Sequence, residues 1–237
     1  MTHEKKSAHD TLSLPPGTST VLAEILQSEE VVAGDGSCLP LRDNIPLLEC
    51  LILQAWVRER EPYRILEIGL AYGVSTLFLC DALTWQQGTI YHVIDPYQDR
   101  DWQSIGWLNL LRAGYADKIQ FHKDTSDAVL PQLIAGGMRF DFVLIDGAHD
   151  AYQVQSDVEY AEKLLAPGGV IALDDIQLPA VQAAVDSLPR RGFQQLPVPA
   201  PYDRSRPVRL RRLNNSHLSR VVAFQHCIDS RSGETGK

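Results

Sequence analysis

Cysteine is scarce and scattered. Cys38, Cys50, Cys80 and Cys227 are the only four, and no two make a C-x-x-C pair. That distribution argues for reduced thiols in a reducing compartment rather than a disulfide framework. Long apolar runs are also missing. No segment reaches the roughly 18 apolar residues of a membrane span. The opening Met1-Thr-His-Glu-Lys-Lys-Ser is polar where a signal peptide would carry an apolar stretch. The expected location is the cytoplasm, with no membrane partner. Positive charge is short as well: 22 Lys and Arg stand against 30 Asp and Glu, a formal net charge of −8. A nucleic-acid surface would normally show a basic face, so no nucleic-acid partner is expected.

What is present is an ordinary globular composition, 44% hydrophobic and 22% charged over 237 residues. That is enough chain to bury a full core, as one sizeable domain or two small ones. Residues 1–17 are a polar lead-in ending in Pro15-Pro16-Gly17. Thr18-Ser19-Thr20 offers an N-cap for a short helix bearing Val21, Leu22, Ile25 and Leu26. Gly34-Asp35-Gly36-Ser37 reads as a turn. Asp43 is placed to cap a second helix with Pro46 in its first turn and an apolar stripe at Leu47, Leu48, Leu51, Ile52 and Leu53.

Beyond residue 62 strands and helices alternate. The strand candidates are Arg64–Ile68, Ile90–Ile94, Ile119–His122, Phe140–Ile145 and Val170–Leu173, with helical stretches near 74–84, 103–113, 126–135 and 151–165. Short apolar strands separated by amphipathic helices predict βαβ units and a parallel sheet covered on both faces. A helix follows over Ala180–Leu188, then two terminal strands, Phe193–Val198 and Arg220–Gln225. They are joined by an excursion with Pro199, Pro201 and Pro207 and with Arg204, Arg206, Arg209, Arg211 and Arg212. The expected fold is α/β: a Rossmann-like, doubly wound, mostly parallel seven-stranded sheet with an antiparallel C-terminal edge strand. The expected domains are an N-terminal extension with a short helix (1–42), the main domain (43–228) and a disordered tail (229–237).

The stretch 62–76 organises this pattern. An apolar run ends in Glu67-Ile68-Gly69, crosses a short loop, passes Gly73 and enters a helix at Val74-Ser75-Thr76. A buried strand feeding a glycine turn and a helix N-terminus is how α/β sheets make nucleotide sites. The spacing is G-x-x-x-G, not the G-x-G-x-x-G of dinucleotide binders, and Glu67 stands two residues before the first glycine. Ligands in such sheets sit beyond the carboxyl ends of the strands. Asp95, 26 residues after Gly69 at the end of the second strand, is suited to accept both hydroxyls of a ribose. Taken alone, Asp95 reads equally well as a cap on the following turn, beside Pro96.

The combination of Glu67, Gly69, Gly73 and Asp95 resembles the class I S-adenosylmethionine-dependent methyltransferases, whose first motif has the form E-x-G-x-x-x-G. The resemblance spans roughly residues 45–176. It implies a loop wrapped around the methionine part of S-adenosylmethionine, with Asp95 on the ribose. It also implies Ser75 for the cofactor carboxylate and Thr125-Ser126 beside the adenine.

A second cluster is Asp146-Gly-Ala-His149-Asp-Ala-Tyr152, followed by Pro167-Gly-Gly169 and Asp174-Asp175. If the fourth and fifth strands are neighbours, Asp146 and the Asp174-Asp175 pair lie about 5 Å apart at one end of the sheet. Three converging carboxylates repel unless a cation sits between them, and all-oxygen ligands suit Mg2+ or a similar hard divalent ion. The alternative is that Asp175 caps the following helix and Asp174 faces solvent. These residues look like the metal-dependent O-methyltransferases, in particular the subgroup acting on sugar or secondary-metabolite hydroxyls. That resemblance implies a small hydroxylated acceptor oriented by the ion. His149 has an imidazole that titrates near neutrality, which suits a general base; the plain alternative is a helix-start residue bonded locally. Tyr97, Trp102 and Trp107 are candidates for an aromatic wall or for packing. The arginine-rich 204–220 segment reads as a solvated loop or a contact for an acidic substrate. The N-terminal helices are candidates to cover the site or to form a homodimer contact.

Overall fold

The seven-stranded sheet is built from stretches whose residues are apolar on both faces, as strands covered by helices on each side must be. The structure is a computed structural model, and it describes residues 14–199 and 220–227. The polar lead-in before residue 14, the arginines at 204, 206, 209, 211 and 212, and the tail from residue 229 lie outside the described residues. In chain order the first elements are α1 (Thr20–Ser28), a hairpin of β1 (Glu30–Val32) and β2 (Cys38–Pro40), and α2 (Leu47–Arg60). The alternating part follows as β3 (Arg64–Ile68), α3 (Val74–Ala82), β4 (Ile90–Ile94), α4 (Ile105–Arg112), β5 (Ile119–His122), α5 (Ser126–Ala135), β6 (Phe140–Ile145), α6 (Ala151–Leu164) and β7 (Leu165–Leu173). Helix α7 (Pro179–Ser187), β8 (Phe193–Gln195) and β9 (Val222–His226) complete the described chain.

The strands lie in the order β5-β4-β3-β6-β7-β9-β8. The five from β3 to β7 are mutually parallel, and β9 runs antiparallel to both β7 and β8. The mostly parallel sheet with its antiparallel C-terminal edge is therefore present. Within that edge the last described strand, β9, is slotted between β7 and β8, so the three-residue β8 is outermost among the described residues. Strand order reverses between β3 and β6, which sets the switch point at the carboxyl ends of these two strands.

Alternate strand residues feed two cores. Ile65, Tyr91, Val93, Phe142, Leu144 and Ala172 pack with α1, α2, α3 and α4. Leu66, Ile94, Val143, Ile145, Ile171 and Leu173 pack on the other face with α5, α6 and α7. The stripe on α2 is spent here: Cys50, Leu51, Ile52, Leu53, Trp56 and Val57 are all buried within the chain. Among the described residues no helix is long and apolar enough to cross a membrane.

Several local expectations are corrected. Ser19 occupies the N-cap position of α1, yet its side chain makes no capping bond. Its backbone N–H instead donates to Asp81 Oδ2 at 2.7 Å, tying α1 to α3. Asp43 does not cap α2; Pro46 precedes the first turn, and Asp43 sits in the loop at φ 50°. The turn at 34–37 closes a hairpin whose three-residue strands are too short to show a period. β7 begins at Leu165 rather than Val170, because Leu165 already pairs with Phe140; the Pro167-Gly168-Gly169 stretch bulges before Val170 pairs with Phe142, with Gly168 at φ 77°.

His92 and His122 sit side by side on β4 and β5, with ring nitrogens 2.9 Å apart and rings stacked at 5.0 Å. Burial, aided by the neighbouring imidazole, pushes His92 down from 6.5 to about 4. A histidine kept neutral in the fold contributes stability that is present above its unfolded value. That contribution is lost as pH falls toward the folded one, where the unfolded chain binds the extra proton. Chemical denaturation should show stability declining between about pH 7 and pH 4, with the decline smaller by about 1–2 kcal/mol in His92→Leu.

Candidate functional site

Two carboxyl-terminal strand ends meet at the switch point, and a glycine makes the meeting possible. Gly69 has φ +100°, and a Cβ there would lie 2.0 Å from the carbonyl oxygen of Asp146. The turn is pinned on both sides: Gly69 N–H donates to Ile94 O at 2.9 Å, and Asp146 N–H donates to Ile68 O at 2.9 Å. Gly73, at φ +76°, is the N-cap residue of α3 and brings no side-chain cap, so the first N–H groups of that helix have no side chain supplied to them. Gly106 at the start of α4 is equally tight, with Ala71 O at 2.3 Å from a would-be Cβ. The loop is thus clamped between β6 and α4.

Asp95 is the bracket of this loop. Its Oδ2 accepts from Leu70 N at 3.2 Å, Ala71 N at 3.0 Å and Gln98 Nε2 at 2.8 Å, and its Oδ1 accepts from Tyr97 N at 2.7 Å. Four donors nearly fill a carboxylate, so a ribose here would have to replace some of them. Gln98 is buried and also donates to Ala71 O at 2.7 Å. Sequence reasoning passed it over; its place three residues after Asp95, in a turn, was the available signal. Glu67 is fully buried and points into the core, where its two oxygens accept from Ser75 Oγ at 2.6 Å and Tyr91 OH at 2.5 Å. Burial raises its carboxyl to about 7 against the lowering effect of these donors. Ser75 therefore spends its hydroxyl on Glu67 and fixes the turn from beneath. Thr125 is the N-cap residue of α5, without a side-chain cap, and the buried Ser126 accepts from Gln153 Nε2 at 2.9 Å.

On the other side of Gly69 lies the acid cluster. Ligand atoms of Asp146, His149 and Asp175 lie within 4.8 Å of one another. β6 and β7 are parallel neighbours, which brings Asp174 to the same end, its N–H donating to Ile145 O at 3.2 Å. Neither alternative for the pair holds geometrically. Asp174 is only 4% exposed, its Oδ1 has no hydrogen-bond partner, and Leu178 is the N-cap residue of α7. Burial and then the adjacent acids push Asp146 well above the usual carboxylate range and Asp174 to about 7. Asp175 goes the opposite way, held low first by its hydrogen bond with His149 and then by Gln177 and Arg220. It adopts a left-handed backbone at φ 55°, which aims its side chain out of the strand line.

His149 precedes Asp150, and it is Asp150 that caps α6 by accepting from Gln153 N at 3.1 Å. The imidazole reaches across the site: its Nε2 lies 3.0 Å from Asp175 Oδ2, a contact that raises its pKa. Arg220 also enters the cluster, its Nη2 paired with Asp175 Oδ1. No sequence signal marked it, because its partner is 45 residues away. The aromatic candidates divide. Trp102 packs edge-on against Tyr72 at 5.0 Å and Trp107 stacks on Phe121 at 5.2 Å, whereas Tyr97 is 43% exposed.

The carboxylates fit a hard divalent ion. The carboxylates of Asp146 and Asp175 converge from two adjacent strand ends with His149 beside them, and Asp174 keeps a buried oxygen unpaired.

The family profile described as "Methyltransferase domain" matches residues 66–176. An O-methyltransferase, hkm8, of Aspergillus hancockii is 28% identical over 127 residues, covering 54% of this chain and 48% of that protein. A caffeoyl-CoA O-methyltransferase of Populus kitakamiensis is 28% identical over 162 residues, covering 68% and 65%. The chain spans about half the length of the first of these relatives. Among solved structures, the O-methyltransferase from Bacillus cereus, in complex with SAH, superposes with a TM-score of 0.60 at 23% identity, over 78% of this chain and 85% of that one. The strand order and the loop at the switch point are those of a Rossmann-like α/β fold, and residues 66–176, just under half of the chain, resemble a methyltransferase domain.

Proposed function

We propose that the protein is an S-adenosylmethionine-dependent O-methyltransferase that methylates a hydroxyl of a small molecule, with a divalent ion at the carboxylate cluster. The observation that carries this reading is the contact of Gly69 with the Asp146 backbone, which sets a cofactor loop directly beside converging acids. The named O-methyltransferase relatives support it.

S-adenosylmethionine supplies an electrophilic methyl on sulfur. The Gly69–Gly73 loop and the free N–H groups at the start of α3 bind its charged amino-acid end, with the helix terminus favouring the carboxylate. Glu67 acts through Ser75 and Tyr91 to hold the loop rather than by touching the ligand. Asp95 exchanges loop N–H donors for ribose hydroxyls. Ser126 and Thr125, at the start of α5, flank the adenine. Asp146, Asp174 and Asp175 would hold Mg2+ or a similar ion, which supplies positive charge to orient the acceptor and to lower the pKa of its hydroxyl. His149 takes the acceptor's proton, and Asp175 steadies the resulting imidazolium. Alignment accounts for most of the rate, since no covalent enzyme intermediate is needed. A sugar or secondary metabolite is the acceptor class, and the cytoplasm the location. One observation favours a second reading, a metal-independent methyltransferase: Arg220 already places a positive charge on Asp175.

Calorimetry should show S-adenosylhomocysteine binding with NAD giving no heat; preferential NAD binding would sink the proposal. Gly69→Ala should abolish cofactor binding and lower the melting temperature, because the methyl has no space at φ +100°. On a panel of hydroxylated acceptors, excess chelator or Asp146→Asn should cut turnover by at least about 100-fold while cofactor affinity stays within about threefold. Full activity under chelator would select the metal-independent reading.

A further inference from the structure

Arg220 is the one group in the acid cluster that neither the loop nor the general base explains. Both oxygens of Asp175 are already engaged. Oδ1 accepts from Gln177 Nε2 at 2.6 Å and from Arg220 Nη2, and Oδ2 meets His149 Nε2 at 3.0 Å. Oδ1 is thus filled while Oδ2 keeps one acceptor site, so a cation that takes both oxygens of Asp175 must displace Gln177 or Arg220. Gln177 is neutral and His149 is on the site's own wall, whereas Arg220 carries the full positive charge that an incoming ion would duplicate.

The arginine is held for displacement rather than permanently. Its backbone is fixed, with N–H donating to Glu49 Oε1 at 3.1 Å and carbonyl accepting from Ile176 N at 3.0 Å. Its side chain is not comparably fixed. Nε is buried without a partner, and the side chain as a whole is 34% exposed, which leaves a route to solvent. Arginine–carboxylate pairs are frequently two-pronged; this one engages Asp175 through Nη2.

We propose that Arg220 is a tethered cation that occupies the carboxylate cluster until a divalent ion replaces it, and that it thereby sets how weakly the ion binds. The inference rests on the metal-dependent reading above. Removing the guanidinium leaves Asp175 Oδ1 with Gln177 alone and restores the net negative charge of the cluster. A neighbouring unit charge in a half-buried site is worth on the order of tenfold or more in an ion's affinity.

The test uses the full chain as wild type, Arg220→Met and Arg220→Lys, with Mn2+ as the probe. Free Mn2+ is counted by electron paramagnetic resonance, and melting temperatures are recorded with and without the ion. Arg220→Met should bind Mn2+ at least about tenfold more tightly than wild type, with Arg220→Lys nearer to wild type. The ion-free melting temperature of Arg220→Met should fall, and Mn2+ should raise it by more than it raises wild type. A merely structural arginine would lower both melting temperatures alike. Equal or weaker Mn2+ binding by Arg220→Met overturns the inference and leaves the metal-dependent reading standing. Millimolar Mn2+ bound by none of the proteins overturns both. Where Arg220→Met does not fold, Arg220→Gln carries the same comparison with the same outcomes.

Discussion

A single backbone contact governs the site: the close approach of Gly69 to the carbonyl of Asp146. It exists because β3 and β6 are neighbours at the point where strand order reverses, so the chain leaving β3 crosses the end of β6. A Cβ at residue 69 would separate them. Everything with chemical potential hangs on either side of this contact. The loop, Asp95 and the start of α3 stand on the β4 side; Asp146, His149 and the Asp174-Asp175 pair stand on the other. Gly69 is a hinge of geometry rather than of motion, since hydrogen bonds from both neighbouring strands pin it.

Electrostatics on the two sides follow opposite plans. Asp95 is saturated by four donors, so its charge is spread over the backbone of the loop and makes that loop rigid. The acids beyond β6 and β7 are the reverse. Asp146 is half-buried and Asp174 buried, both with few donors, and they are raised by loss of water and by neighbouring acids. Asp175 alone is stabilised as a carboxylate, through His149, Gln177 and Arg220. Such a cluster is costly as it stands and selects for a compensating positive charge.

The sheet and the positions of Gly69, Gly73, Asp95, Asp146 and Asp174 were legible because they depend on local patterns. Apolar strands end where turn residues and acids begin, and parallel topology brings those ends together. What could not be read were contacts made by side chains far apart in the chain. The resemblance implied Ser75 for the cofactor carboxylate; its hydroxyl donates to Glu67, below the loop, a contact that no motif announces. Tyr91 and Gln98 fix the loop without any motif. The short hairpin β1–β2 was invisible because three residues show no period. His149 turned toward Asp175 rather than to its own helix, a choice set by the left-handed bend at residue 175.

The insertion of β9 between β7 and β8 carries a consequence for the order of assembly. Until the last described strand arrives, β7 offers an unpaired edge, and β8 has no sheet to join. Arg220 stands at the threshold of that strand. During synthesis the five parallel strands are made before Arg220 and β9 and can gather ahead of them. In that interval the cluster at Asp175 lacks its arginine, and closure of the sheet edge and neutralisation of the acids arrive together as one late, long-range step.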